Sequence, residues 1–477
     1  MEKKTNQSGS LRPPIVTILG HVDHGKTTLL DAIRKTNVAG KEIGSITQST
    51  LASQVVTPEG KKITFIDTPG HAVFSQMRAR GAKVADLAVL VVSADDGVKP
   101  QTKEALGYIK ETNTPFLVVI TKIDLPQVNI EKAKGQIEKE GVSFEGKGGN
   151  TPLILVSAKS GKGINDLVEM IFLVSEVNAI AGDAEGVLEG LVIETSKDKR
   201  GPVVSVVITN GTIKVGMDVA GGDINAKVRG LFDHLGKTIK KAGPGDPVQI
   251  LGFPNLPTVG EKISSQIERS SVSEKKFESG MLHKIEKGKI SIVVKTNNAG
   301  TLKDLVANLP PEIVVTHSSV GDVSESDIFA AKSSSLVTNN PPRIFAFEAK
   351  IPSSVAKLAK EEGVIIERFE LIYKLFERLE ELILEGKEKV LGEAKILASF
   401  PYEDKLVAGS KIVKGRILKT DKLILMRKKE ILGEFKIASM KKDKVNIDKA
   451  LAGEEFGIIM TPQLDFKVGD VILSVTK

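Results

Sequence analysis

The sequence predicts a multidomain chain of α/β and β parts. In order these are a doubly wound, mostly parallel α/β domain, a β-barrel, an α/β sandwich domain, a long connecting helix and a second β-barrel. Three observations predict it. Between residues 15 and about 180, short Val/Ile/Leu-rich runs without clean alternation are separated by helix-like stretches, the pattern of parallel strands buried on both faces. From about residue 186 the texture changes to alternating strands and tight turns. From about residue 391 it turns to strands again and echoes the earlier stretch in the same order.

A chain of 477 residues exceeds one ordinary core, so several domains are expected. The composition, 41% hydrophobic and 27% charged, is that of a soluble globular protein, and no run of eighteen apolar residues could span a membrane. Residues 1–14, MEKKTNQSGSLRPP, are polar and lack the apolar core of an export signal, so they read as a flexible tail. The absence of cysteine excludes disulfides, zinc–thiolate sites and cysteine nucleophiles and suits a reducing cytoplasm. A net charge of +7 suits a polyanionic partner, or is the small positive excess of many cytoplasmic proteins. With no Trp and 4% aromatics, contacts to nucleic acid should fall on phosphates more than on stacked bases.

The first domain, 15–182, has strand-like runs IVTIL, KITFIDT, DLAVLVVSA, FLVVITK and PLILVSA, with helical stretches such as HAVFSQMRARGAKVA and PQTKEALGYIKE between them. The barrel, 183–268, contains Asn210-Gly211 between two β-branched runs, which predicts a hairpin there. Residues 269–282 are polar and read as a linker or a short exposed helix. In 283–368, KISIVVKTN and EIVVTHSSVG read as strands, GTLKDLVANL and SSVAKLAKEEG as helices. Residues 369–390 have apolar residues at helical spacing and predict one amphipathic helix, either packed on its own domain or a free-standing connector. In the last domain, 391–477, KGRILKTDKLI echoes NGTIKVGMDV, GEEFGIIM echoes GDPVQILGF, and VGDVILS echoes VGEKISS, which suggests two related barrels.

The chemistry is concentrated at strand ends. Gly20 to Thr27, GHVDHGKT, fits G-x-x-x-x-G-K-[ST] between a strand and a helix, the setting of a phosphate-binding loop. Its glycines let the backbone N–H groups of Gly20, His21, Val22, Asp23, His24 and Gly25 close on an anion, and the following helix, with Thr28 in its first turn, adds its positive end. Lys26 should lie along the β- and γ-phosphates and the Thr27 hydroxyl should ligate Mg²⁺. In DTPGH, Asp67 should hold Mg²⁺ through water and the Gly70 N–H should meet the γ-phosphate, with Thr68, Pro69 and His71 completing the segment. In TKID, Thr121, Lys122, Ile123 and Asp124, the Asp124 carboxylate can accept the N1–H and amino group of guanine, a donor pair that adenine lacks. In SAK, the Ala158 N–H can reach guanine O6, flanked by Ser157 and Lys159. All stand at carboxyl ends of successive strands, where an open α/β sheet binds ligands.

This order of motifs resembles that of the translational GTPases, and more closely that of translation initiation factor 2 of the bacterial and organellar type. RKTNVAGKEIGSITQS, SQMRARGAKVADLAVLVVSADDGVKPQT, RGPVVSVVITNGTIKVG, HSSVGDVSESDIFAA and AKLAKEEGVIIERFELIYKLFERLEE carry the resemblance from about residue 14 onward, least in the last barrel. It implies a P-loop GTPase domain that binds GTP/GDP with Mg²⁺ and hydrolyses GTP to GDP and phosphate on ribosome stimulation. It also implies binding of initiator aminoacyl-tRNA and promotion of subunit joining, with both ribosomal subunits and ribosomal RNA as partners, for a cytoplasmic, monomeric protein with no membrane association. By the same resemblance Thr47 completes Mg²⁺ coordination, Val22 and Ile46 form an apolar gate near the attacking water, and His71 positions that water beside Lys26. The bland alternative for His71 is a surface residue opening a helix. His21 and His24 read as loop-shaping or surface residues rather than catalysts. Nothing in the sequence supplies a cis arginine finger, so hydrolysis in isolation should be slow. The missing partner typically supplies roughly 10³–10⁵-fold.

In this family the last barrel grips the formyl-methionyl end of initiator tRNA, which makes Lys411, Lys414, Arg416, Arg427 and Glu455 the contact candidates. The alternative for the basic stretches is a solvated barrel face. Several positions depart from the family: Ser410 and Phe456 replace cysteines, Thr121 replaces asparagine, Ser45 replaces a glycine and Ser49 a histidine. The family's long N-terminal extension is absent or removed. Another translational GTPase, an elongation or specialised tRNA-delivery factor, is the alternative reading, and the domain order argues against it. A binding module with incidental hydrolysis is disfavoured by the intact set Lys26, Thr27, Thr47, Asp67 and His71.

Overall fold

The computed structural model describes residues 10–36, 50–266, 289–338, 340–386, 390–402, 405–428, 430–443 and 445–475. It divides into two compact units, Met1–Glu377 and Arg378–Lys477, treated separately below. The expected linker 269–282 lies outside the described residues.

The first unit opens with a six-stranded sheet: β1 (Ile15–Gly20), β2 (Leu51–Val56), β3 (Lys62–Asp67), β4 (Leu87–Ser93), β5 (Phe116–Thr121) and β6 (Leu153–Leu155), in spatial order β2-β3-β1-β4-β5-β6. Every pair is parallel except β2–β3, an antiparallel edge hairpin. Five strands are the expected apolar runs; β2 is an addition, its Ser53 and Gln54 breaking the apolar signal as suits a half-buried edge. Val89 and Val91 of β4 pack with Leu29, Leu30 and Ile33 of α1 (Lys26–Arg34) and Leu167 and Ile171 of α5 (Ile164–Val177). Ala88, Leu90 and Val92 pack on the other face with Ala82 of α2 (Ser75–Val84), Ala105, Leu106 and Ile109 of α3 (Pro100–Thr112), and Ala133 and Ile137 of α4 (Ile130–Lys139). Both faces are covered, which is why the runs show no alternation. Each such buried aliphatic side chain contributes about 1.5–3 kcal/mol.

The next sheet contains β7 (Glu189–Asp198), β8 (Gly201–Asn210), β9 (Asp218–Gly221), β10 (Ile224–Lys227), β11 (Gly230–Phe232), β12 (Pro247–Leu251) and β13 (Lys262–Ser264), all antiparallel. The hairpin expected at Asn210-Gly211 is not there. β8 pairs instead with β7 and β12, and the hairpin turn is at residues 199–200, where Arg200 closes onto Asp198 at 2.6 Å. Asn210-Gly211 is still a sharp turn. The Asn210 amide side chain accepts from Asp183 N–H at 2.8 Å and donates to the Val187 carbonyl at 2.9 Å, so it fastens the loop entering β7.

The third part is a parallel sheet of β14 (Ile290–Thr296), β15 (Ile313–Val320), β16 (Arg343–Phe347) and β17 (Ile365–Phe369), in order β15-β14-β16-β17, with α6 (Ala299–Ala307), α7 (Glu325–Thr338) and α8 (Ser353–Glu361). The long helix is shorter than expected. It is α9 (Ile372–Gly386), because Phe369 belongs to β17 and stacks on Phe345 of β16 at 5.3 Å, while Val390 starts a strand.

The second unit contains β18 (Val390–Tyr402), β19 (Lys405–Leu418), β20 (Lys422–Arg427), β21 (Glu430–Lys442), β22 (Glu455–Thr461) and β23 (Val471–Val475). The order is β18-β23-β20-β21-β22-β19, and β19 pairs back with β18, so the barrel is closed. The first barrel has the same cyclic order, β7-β13-β9-(β10/β11)-β12-β8, with its fourth course interrupted between Lys227 and Gly230. The three sequence echoes fall on equivalent courses, so the two barrels share one topology.

Gly211 has φ +69°, and a Cβ there would lie 2.5 Å from the Leu188 backbone. Gly211→Ala should therefore destabilise the first unit by about 1–3 kcal/mol, read as a shift in its urea midpoint by circular dichroism.

Candidate nucleotide-binding site

The parallel register sets the site. Ile18 of β1 stands beside Asp67 of β3, Gly20 beside Val91 of β4, and Ser93 beside Thr121 of β5. Four strands thus end on one edge, with the expected motifs at the ends of β1, β3 and β5 and just beyond β6.

At the end of β1 the chain turns through Asp23 (φ 60°) and Gly25 (φ 84°) into α1. Lys26 is 7% exposed and its Nζ donates to the His21 carbonyl at 2.6 Å, so the side chain lies across the mouth of its own loop. Burial lowers its pKa to about 8; Asp67 and Asp23 oppose that shift and Arg78 adds to it. His24 is fully buried, its Nδ1 3.4 Å from the Val91 carbonyl, and burial pulls its pKa down to about 4. It is a neutral strut of the loop and not a surface residue. His21 is half-exposed and meets His24 edge-on at 5.0 Å; burial also lowers its pKa. Val22 is half-buried, Asp23 and Thr28 are exposed.

Asp67, Thr68, Pro69 and Gly70 are buried beside this loop. The Thr68 hydroxyl donates to the Ile18 carbonyl at 2.9 Å. A Cβ on Gly70 would displace the Lys26 ammonium and crowd Val22 N at 3.0 Å, so glycine lets the two loops approach this closely. His71 caps the turn Ala72–Phe74, its Nδ1 accepting the Val73 N–H at 3.3 Å. Burial and then the charge of Arg78 lower its pKa, so the ring is neutral near pH 7, and with Nδ1 accepting, the proton is on Nε2.

Arg78 stands against this loop and is absent from the motifs that the sequence offered. Its side chain is wholly buried, donating to the carbonyls of Pro69 at 3.1 Å and His71 at 2.6 Å and pairing with Glu104 at 2.8 Å; Tyr108 donates to Glu104 at 2.8 Å. The signal was available. Phe74, Met77, Arg78, Gly81 and Ala82 lie at i, i+3, i+4, i+7 and i+8 on the buried face of α2, so a charge stands in the middle of an apolar stripe.

Thr121 ends β5, buried, and its hydroxyl donates to the His24 carbonyl at 2.6 Å, tying the third motif to the phosphate loop. Lys122 (φ 60°) pairs with Asp95 at 3.1 Å. Asp124 is exposed, and the Ser157 side chain holds its carboxyl below the usual range, which relates TKID to SAK. Ile123 and Ala158 are half-buried and Lys159 is exposed. The Thr27 hydroxyl and the Asp67 carboxylate are the hard oxygen donors that Mg²⁺ takes, and the loop offers the buried cation and backbone turn that phosphates need. Ile46 and Thr47, with Ser45 and Ser49, lie outside the described residues.

In the second barrel, Lys411 of β19 stands opposite Glu455 of β22 and pairs with it at 3.2 Å. Lys414 is exposed on β19 and Arg416 lies 4.0 Å from Asp421. Arg427 does not join them. β20 lies three courses from β19 around the ring, and its guanidinium is committed to Asp470 at 3.0 Å and the Asp465 carbonyl at 2.8 Å. Ser410 and Phe456 are register partners, both buried in the barrel core, a small residue facing a large one.

Residues 12–176 match the family model of the elongation factor Tu GTP-binding domain, residues 187–266 that of elongation factor G domain 2, and residues 264–380 that of translation-initiation factor 2. Translation initiation factor IF-2 of Aquifex aeolicus is 36% identical over 97% of this chain and 60% of its own length. That of Caldanaerobacter subterraneus is 39% identical over 98% of this chain and 70% of its own length. The crystal structure of GDP-bound aIF5B from Aeropyrum pernix overlays with a TM-score of 0.46 at 27% identity, covering 98% of this chain and 92% of that one.

A lysine whose pKa lies about 8 in the free protein should be fully protonated beside phosphates. Binding of a nucleoside diphosphate should therefore take up part of a proton at pH 8, where the terminal phosphate, with a second pKa of about 6, is already ionised, read calorimetrically in buffers of different ionisation enthalpy.

Proposed function

The chain belongs to the translation initiation factor IF-2 family of translational GTPases, and from that premise we propose a GTP-driven initiation factor whose hydrolysis step is set by the loop carrying Gly70 and His71. The observation that carries the reading is the convergence of phosphate loop, DTPGH, TKID and SAK on one sheet edge, with the Thr121–His24 hydrogen bond as an internal tie.

Lys26 and the loop N–H groups hold the phosphates; Thr27, Asp67 and Thr47 hold Mg²⁺. Bound Mg²⁺ neutralises charge on the β- and γ-phosphate oxygens. Asp124 accepts the two guanine donors, and Ala158 N–H meets O6. Phosphoryl transfer needs positioning and charge stabilisation more than covalent help. His71, neutral and protonated on Nε2, has a donor to offer the attacking water and no free basic nitrogen, which supports alignment over proton abstraction. Arg78 holds the Pro69 and His71 carbonyls from behind, so the ring starts from a fixed backbone. Val22 and Ile46 screen the water. The γ-phosphate holds the loop carrying Gly70, and its loss releases that loop.

On the ribosome the protein brings initiator aminoacyl-tRNA and promotes subunit joining, with ribosomal RNA supplying the missing stimulation. The β19–β22 face, with Lys411, Lys414, Arg416 and Glu455, is the candidate for the aminoacyl end. Ser410 and Phe456, facing the core, act on that end only through packing. The site works in the cytoplasm and needs one chain.

Two substitutions test the nucleotide chemistry. His71→Ala should abolish ribosome-stimulated turnover, by about 10³-fold or more, while GTP affinity stays within a few-fold; retained stimulation would remove His71 from the mechanism. Asp124→Asn replaces an acceptor by a donor, so GDP affinity should fall by about 10²-fold and xanthosine diphosphate, which presents an acceptor there, should bind in its place. For the barrel, formylated initiator, unformylated initiator and elongator aminoacyl-tRNAs should bind with different affinities in filter assays; equal binding would contradict initiator selection.

A further inference from the structure

Helix α2 leaves the reacting loop and enters a junction where three parts of the first unit meet. Its first turn is capped from the third part. Asp304 of α6 accepts the Met77 N–H at 3.2 Å and pairs with Arg80 at 3.0 Å. α6 is capped in turn from the first barrel, where Glu194 of β7 accepts the Gly300 N–H at 3.0 Å and the Thr195 N–H at 2.8 Å. The far end of α6 returns to the loop. Asn308 donates to the Val73 carbonyl at 3.0 Å, and the Val73 N–H is the group that His71 Nδ1 accepts.

The junction is tight. The Asp304 side chain is fully buried and Glu194 is 7% exposed. A Cβ on Gly300 would lie 2.5 Å from Glu194 Oε2, 3.0 Å from Met77 Cε and 3.2 Å from Arg80 Nη1, so barrel, α6 and α2 touch with no spare volume. A helix N-terminus has unpaired N–H groups and a positive end, and a carboxylate from another element fixes it in place. Here the device is used twice in series, Glu194 on α6 and Asp304 on α2. N–H···O bonds fall within about 2.7–3.2 Å, and both bonds from α6 lie in the upper part of that range, so displacing α6 would release the α2 cap and the Val73 carbonyl together.

We propose that α6 is a positioning element for the phosphate-sensing loop: Asp304 and Asn308, seated by Glu194, hold α2 and the Val73 peptide in the attitude that aims His71. The inference rests on the reading of His71 as the residue that aligns water. It makes the third part a determinant of turnover and gives α6 a lever on the site through α2 and the Val73 peptide.

The charge balance adds a pH dependence. Two carboxylates, Glu194 and Asp304, face Arg80 and Arg78 of α2 and Lys303 of α6. Burial is the largest influence on both acids, raising Glu194 to about 7 and Asp304 to about 6, against the opposing pull of Arg80 and the capped N–H groups. The folded junction therefore keeps protons that the unfolded chain gives up in the usual carboxylate range. Its stability is greatest on the acid side, declines as pH rises from about 4 through about 7, and is level only about a unit beyond.

Amide hydrogen exchange of the full chain with GDP bound tests the arrangement without any hydrolysis step. Asp304→Ala and Asn308→Ala should speed exchange across residues 72–80 by about ten-fold and leave α3 and α4 unchanged. Asp304→Asn, which keeps an acceptor for Met77, should fall between. GDP affinity should stay within two-fold, while ribosome-stimulated turnover drops about ten-fold in kcat with little change in KM for ribosomes. Glu194→Gln should flatten the pH dependence of α2 and α6 protection between pH 5 and 8. Wild-type exchange across 72–80 in both alanine variants, or loss of GDP affinity in step with turnover, would overturn the proposal. Because the exchange readout does not pass through His71, it judges the junction even if the His71→Ala result goes against the proposed chemistry.

Discussion

The parallel register of the first sheet is the constraint on which the site depends. Gly20, Asp67, Ser93 and Thr121 end neighbouring strands at one edge because Ile18 stands beside Asp67, Gly20 beside Val91 and Ser93 beside Thr121. A slip of one residue would turn each strand's side chains to the opposite face and scatter the motifs. The register is held by what lies above and below it, since alternate residues of β4 fill two separate cores. The apolar packing of the sheet and the polar chemistry at its edge are thus one structure.

Inside that frame, buried charge does the positioning. Arg78 has no exposed surface, yet its guanidinium reaches two carbonyls of the sensing loop and one carboxylate. An uncompensated buried charge is strongly unfavourable, so the pairing with Glu104 and the two carbonyls stand or fall together. The same logic governs Lys26, whose ammonium leans on the His21 carbonyl, and the paired acids at the α6 junction. Each is a buried charge that fixes a neighbouring stretch of backbone.

The four motifs were legible in the sequence because each is a contiguous run following a strand, and their chemistry depends on residue type and spacing. Five of six strands in the first sheet were legible because a strand buried on two faces is apolar at every position. β2 was not, since an edge strand needs only half of that signal. Asn210-Gly211 was misread because a turn preference says that the chain reverses, not which strands then pair; the partner of β8 was chosen by the core of the barrel. The helix after the third part began three residues late because Phe369 gains more from stacking on Phe345 than from helical periodicity. Arg78 carried a readable anomaly, a charge inside an apolar stripe, whereas Asp304 and Glu194 did not. Their partners are 227 and 106 residues distant, and no local pattern marks a contact of that separation.

The closed ring of the second unit has a consequence for how that unit comes into being. Its final strand, β23, lies between β18 and β20, its neighbours on either side being the first and third courses. Without Val471–Val475 the other courses have two open flanks and no way to seal them. Closure of the unit therefore hangs on one strand that joins its first and third courses, and removal of Val471–Val475 would expose two sticky strand borders.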